Sequence, residues 1–173
     1  GWTGAHHRVV PAESSLVGSS PPSGTDGERK RILVLGAGPA QLGLHRAARD
    51  RGLYVIACDR DPAAVGFEYA DRRAVVSVED EAAVSQLARA EQVSGIIAPG
   101  IDWPVAIAAR IARHAGLPHP LDPDVAARAV LKHRQRKLLD EHAVPQPRWE
   151  LTTGATDGLP LPSVVKPVDR QGQ

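Results

Sequence analysis

Residues 31–59 read RILVLGAGPAQLGLHRAARDRGLYVIACD, and the order of features in that stretch decides the fold. Ile32 to Leu35 are four apolar residues in a row between a basic cluster and Gly36. Such an unbroken run predicts a strand buried on both faces, as in a parallel sheet. A glycine turn, Gly36-Ala37-Gly38-Pro39, follows the strand. A helix is then expected from about Ala40 to Arg51, with Leu42, Leu44, Ala47 and Ala48 as its inner stripe and Gly52 just past its end. A second apolar run, Leu53 to Cys58, ends at Asp59. Strand, glycine turn, helix and strand in that order open a doubly wound α/β sheet.

The pattern continues downstream. A third strand is predicted at Arg73–Val78 and a helix at Glu79–Glu91 with Ala83, Val84, Leu87 and Ala88 inward. A fourth strand follows at Ser94–Pro99. A further helix runs from an Asp102 cap to about Ala115, with Pro104 in its first turn, where a missing N–H costs nothing. The expectation is four parallel strands flanked by helices, with sites at the carboxyl ends of the strands. Leu117 to Pro123 holds three prolines and reads as an extended connector. Beyond it a short helix, Asp124 to about Val130, leads into a basic helix that begins near Lys132. Upstream, residues 1–28 are rich in Ser, Pro and Gly with only short apolar pieces, a composition that does not offset the chain entropy of ordering. The chain therefore divides into a tail expected to be disordered (1–28), a sheet domain (29–120) and the start of a second domain (121–173).

Composition bounds the function. The net charge of +1 leaves no basic field for nucleic acid, and 3% aromatic residues leave no stacking platform for single strands. The single cysteine, Cys58, cannot form an internal disulfide; this fits a reducing compartment, and a cytoplasmic location is expected. No apolar run reaches the roughly 20 residues that cross a bilayer, so no membrane partner is expected. The 173 residues contain no methionine and stop in a polar stretch, which suggests a piece of a longer protein.

Several segments carry candidate chemistry. A dinucleotide fingerprint would want glycine or alanine where Gln41 stands, although Asp59 lies about where a ribose-binding acid is expected. Asp59 also reads as a satisfied turn acid. Asp61 before Pro62 reads as the cap of a short helix. Trp103, at the mouth of the fourth strand, either lines a substrate cleft or packs against the following domain. His45, His114, His119, His133 and His142 show no ligand spacing. Neither a G-x-S-x-G nor a selected pair of carboxylates appears, so no catalytic side chain and no metal ligand is assigned.

The last stretch is more informative. Leu131 to Leu151 reads LKHRQRKLLDEHAVPQPRWEL, and PSVVKPVDRQGQ closes the chain from Pro162. The basic helix places Lys132, Gln135 and Arg136 on one side, with Leu138 and Leu139 inward. A Val-Pro-Gln-Pro turn (Val144 to Pro147) follows. Lys166 ends a short β-branched strand, Ser163–Val165, and a polar glycine-containing loop begins at Asp169. Two separated cations beside such a loop suit a polyphosphate, because lysines act as point charges and glycine lets backbone N–H groups approach closely.

That order, from the GAG turn through Lys132 and Val-Pro-x-Pro to PSVVKP and a glycine loop, resembles the ATP-grasp superfamily over about Lys30 to Gln173. Within it the chain is similar to the branch of carbamoyl-phosphate synthase, biotin carboxylase and formate-dependent glycinamide ribonucleotide transformylase. Two positions depart from the pattern: Leu131 stands where an acid is common, and Ala143 where glycine usually precedes the Val-Pro. The resemblance implies a Rossmann-like preATP-grasp domain with a parallel sheet, followed by the truncated start of an ATP-grasp domain. It implies that Lys132 and Lys166 touch the phosphates of ATP and that Asp169, Gln171 and Gly172 begin the loop over them. The implied activity is that of an ATP-dependent ligase, which activates a carboxylate as an acyl phosphate for attack by an amine or other nucleophile. Mg2+ would be held by residues beyond 173, the partners would be small-molecule substrates, homo-oligomerisation stays open, and this chain alone is expected to be inactive. Two alternatives stand beside it: an NAD(P)-binding redox domain, and a non-catalytic regulator built on the same fold.

Overall fold

The computed structural model describes residues 29–153 and 160–168. Its strands are β1 (Arg31–Leu35), β2 (Tyr54–Asp59), β3 (Arg72–Val75) and β4 (Gly95–Ile97). They pair in parallel in the order β3-β2-β1-β4, with Leu33 beside Ile56 and Ile96. The helices are α1 (Leu42–Asp50), α2 (Glu81–Ala90), α3 (Trp103–Ala115), α4 (Pro123–Val130) and α5 (Lys132–Glu141).

The unbroken apolar runs are explained by cover on both faces of the sheet. Leu33, Leu35, Ile56 and Cys58 join Val84 and Ala88 of α2 and Ile107 and Ile111 of α3 in the larger core. Val34 and Val55 turn the other way and pack with Ala48 of α1. Each large side chain so enclosed contributes about 1.5–3 kcal/mol. Ala106 and Ala109 on α3 meet Ala126 on α4, and small residues let the two helices approach closely. At the amino ends of the strands, Arg29 pairs with Asp71 at 2.9 Å and Arg72 with Glu91 at 3.1 Å, while Arg29 and Arg31 flank the Tyr54 ring.

Helix ends follow the sequence signals. Past α1, Gly52 takes φ +70° and donates its N–H to Arg49 O at 2.9 Å, while Leu53 N–H reaches Ala48 O at 3.1 Å. This is the paired C-terminal closure that favours glycine. Gly116 closes α3 in the same way. Asp80 caps α2 by accepting from Ala83 N–H at 3.0 Å.

Some expectations are corrected. The helix predicted from Ala40 opens with a separate 3-10 turn, Pro39–Gln41, before α1 begins. Asp61 caps no helix: its carboxylate accepts from Ala63 N–H at 2.9 Å in a local turn, and the 3-10 helix that follows starts at Val65. Asp102 stands at the start of α3 without a side-chain bond, because its backbone is already helical there. The short helix expected from Asp124 begins one residue earlier, at Pro123, and Asp122 caps it by accepting from Asp124 N–H at 2.8 Å. Leu138 and Leu139 are only half-buried, and no side chain of α5 is fully buried. Ser163–Val165 forms no strand. β-Branched residues favour extended backbone, but a strand needs a hydrogen-bonded neighbour; none of the described residues supplies one, and Val164 is 81% exposed. The N-terminal tail and Asp169, Gln171 and Gly172 lie outside the described residues.

Candidate functional site

Two places gather chemistry. The first is the carboxyl end of the sheet. β1 passes to β2 on one side, and the chain later returns as β4 on the other, so a crevice between β1 and β4 is the topological switch point. The glycine turn after β1 lies at this end, and its peptide groups are held from several directions. Gly36 N–H donates to Cys58 O at 2.7 Å. Ala37 N–H donates to Asp59 Oδ2 at 2.8 Å, and Gly66 N–H to Ala37 O at 2.6 Å. The other oxygen of Asp59 accepts from Asp61 N–H at 3.0 Å. Asp59 is thus the satisfied turn acid, engaged with backbone rather than presented to a ribose.

Gln41 is 2% exposed, and its Nε2 donates to Pro99 O at 3.0 Å. Its carboxamide lies over the turn: a Cβ at Gly38 would stand 3.1 Å from Gln41 Oε1. The residue that breaks the dinucleotide fingerprint therefore covers the glycine turn. Trp103 packs, half-buried, against the larger core of its own sheet.

Sequence reasoning passed over two residues here. His45 is fully buried, with Nε2 at 2.9 Å from Gly36 O, so Nε2 carries the proton. Its Nδ1 has no partner among the described residues. Burial holds the imidazole below its ordinary pKa, an effect only partly opposed by the bond to Gly36. Gln41, His45 and Ala48 form the helical stripe that faces the sheet, and a stripe sought by hydrophobicity misses two polar members. Gly66 is the second omission: any Cβ there would come within 2.7 Å of Ala37 O. Nearby, burial first and then the Asp59 charge push the Cys58 thiol up to about 12, so it stays protonated and unreactive.

The second place is the start of α5. Lys132 is its first residue, and Lys132 N–H donates to Val168 O at 3.2 Å. That bond fixes the segment carrying Lys166, two residues before Val168, against the amino end of α5. Lys166 is exposed and makes no ion pair with an acid among the described residues. The turn Val144–Pro147 folds back on the same helix: Gln146 Nε2 donates to Arg136 O at 2.8 Å, and Arg136 Nη1 to Gln146 Oε1 at 3.1 Å. Trp149 Nε1 reaches Asp140 at 2.8 Å. Arg136 is thereby engaged in structure, and the backbone bond to Val168 sets the segment that carries Lys166 beside the first residue of α5. Among the described residues, no group of three or more His, Cys, Asp or Glu side chains could hold a metal ion.

No protein-family model matches the sequence, and no curated protein matches it significantly. Solved structures do. Phosphoribosylglycinamide synthetase from Anaerococcus prevotii superposes with TM-score 0.60 at 25% identity, covering 66% of this chain and 29% of its own. N5-carboxyaminoimidazole ribonucleotide synthetase from Thermotoga maritima gives 0.59 at 21% identity, covering 72% and 34%. L-amino acid ligase from Bacillus licheniformis gives 0.54 at 18% identity, covering 69% and 32%. The chain thus spans about a third of the length of these structures. All of them are ATP-grasp enzymes, and the described chain has the α/β fold that opens them, a parallel four-stranded sheet flanked by helices.

Proposed function

We propose that this chain is the N-terminal part of an ATP-dependent ligase that activates a small-molecule carboxylate as an acyl phosphate, which an amine or other nucleophile then attacks. The observation that carries the reading is the bond from Lys132 N–H to Val168 O, which anchors two lysine-bearing segments at one end of α5. In this reading residues 29–120 form the preATP-grasp domain, and 121–173 begin the domain that grips nucleotide.

ATP would lie with its phosphates between the Lys132 and Lys166 ammonium groups, and Asp169, Gln171 and Gly172 would begin the loop across them. The two cations would hold the triphosphate and offset its charge, and a charge-and-positioning role of this kind requires no nucleophilic side chain. Magnesium would be held by carboxylates outside the described residues, since it favours oxygen ligands, and would supply charge neutralisation for the phosphates. The resemblance in the sequence and the fold of enzymes whose structures were solved with ADP support the nucleotide assignment. An NAD(P) domain is the weaker reading, because Gln41 stands where the fingerprint wants glycine or alanine and Asp59 is engaged with backbone N–H groups.

Titration calorimetry of the full-length protein with a non-hydrolysable ATP analogue tests this. Lys132→Ala and Lys166→Ala are each expected to weaken binding by about tenfold or more, the loss of one desolvated charge contact. The melting temperature of Lys166→Ala without nucleotide should be unchanged, because that side chain is exposed. Unaltered affinity in both variants would remove the basis of the assignment.

A further inference from the structure

The crevice between β1 and β4 is closed by the protein's own atoms. The loop after β4, Pro99 to Asp102, lies directly on the turn after β1. Gly100 takes φ +72°, and a Cβ there would stand 3.1 Å from Ala40 O and 3.3 Å from Ala40 Cβ. Across this contact the bond from Gln41 Nε2 to Pro99 O is, among the described residues, the one hydrogen bond that joins the two sides. The Gln41 carboxamide is also 3.4 Å from that Gly100 position, so it fills the floor of the crevice as well as bridging it.

Ligands of open parallel sheets enter at this kind of crevice. We propose that the Pro99–Asp102 loop is a gate over it, with Gln41 as the latch and Gly100 as the hinge. Glycine suits the hinge because positive φ carries no Cβ penalty there. A latch made of one hydrogen bond is weak enough to be released by a ligand that offers the Gln41 amide another acceptor. The gate shares no residue with the Lys132–Lys166 pair and does not depend on a nucleotide binding there.

Nitrogen-15 relaxation of the 173-residue chain tests the gate without any ligand. Gln41→Met keeps the length and filling of the side chain but removes the donor. The expected result is a fall in the order parameters of Gly100, Ile101 and Asp102 from the rigid range near ~0.85 to below ~0.6, with the Leu33, Val34 and Ile56 amides unchanged. Gln41→Leu, which has no donor, should loosen the same three amides and serves in place of Gln41→Met if that variant does not fold. Order parameters that stay rigid at the loop would overturn the proposal. Loosening that spreads through β1 and β2 would overturn it too, by making Gln41 a core residue rather than a latch.

Discussion

Ala143 ends α5 at φ +52°, with its N–H on Asp140 O at 3.0 Å and Val144 N–H on Leu139 O at 2.9 Å. The geometry matches that at Gly52 and Gly116, but here a methyl group crowds the left-handed backbone. Ala143→Gly is expected to stabilise the protein by about 1 kcal/mol, relief of that strain less the entropy glycine adds to the unfolded chain. A rise in the urea midpoint at constant slope would show it. Gln92 closes α2 in the same conformation, at φ +50°. His45 bears on pH rather than strain. Its folded pKa lies below the unfolded value of 6.5, so the unfolded state binds the proton first as pH falls. Stability should be full above about pH 6.5 and should decline below it until the folded pKa is reached. Melting temperatures across that window should fall less in His45→Gln than in the parent protein.

At the scale of elements, the connection between β2 and β3 is a 3-10 helix, Val65–Tyr69, rather than a full crossover helix, and it is pinned to the glycine turn through Gly66. An added Cβ would meet the carbonyl oxygen, Cα and carbonyl carbon of Ala37 at 2.7, 2.9 and 3.0 Å, all of them backbone atoms that cannot rotate aside. Gly66→Ala is expected to cost about 1–3 kcal/mol by overpacking, read as a lowered denaturation midpoint. An unchanged midpoint would mean that the 3-10 helix shifts freely. The strands show what made elements legible. β1 and β2 were evident because both faces are covered, so their apolar runs are continuous. The PSVVKP segment carries the same β-branched composition, yet among the described residues it has no strand beside it, takes no regular structure and is exposed.

At the scale of the whole molecule, the sheet with α1 to α3 forms one layered body, and α4 extends it through alanine contacts before α5 begins at Lys132. If the lysines hold nucleotide and the magnesium ligands lie elsewhere in the protein, the 173-residue chain by itself should release no phosphate from ATP. A coupled phosphate-release assay giving turnover that disappears in Lys166→Ala would contradict that division of labour. By itself the sequence determined the alternation of strands and helices, the glycine turn and most helix stops, because periodicity and turn chemistry are local properties of neighbouring residues. Tertiary structure alone decided the strand order, the burial of Gln41 and His45 under the turn, the close approach of Gly66 to Ala37, and the meeting of Lys132 with Val168. Those depend on which distant segments share space, and no periodicity within a single segment records the atoms packed against it.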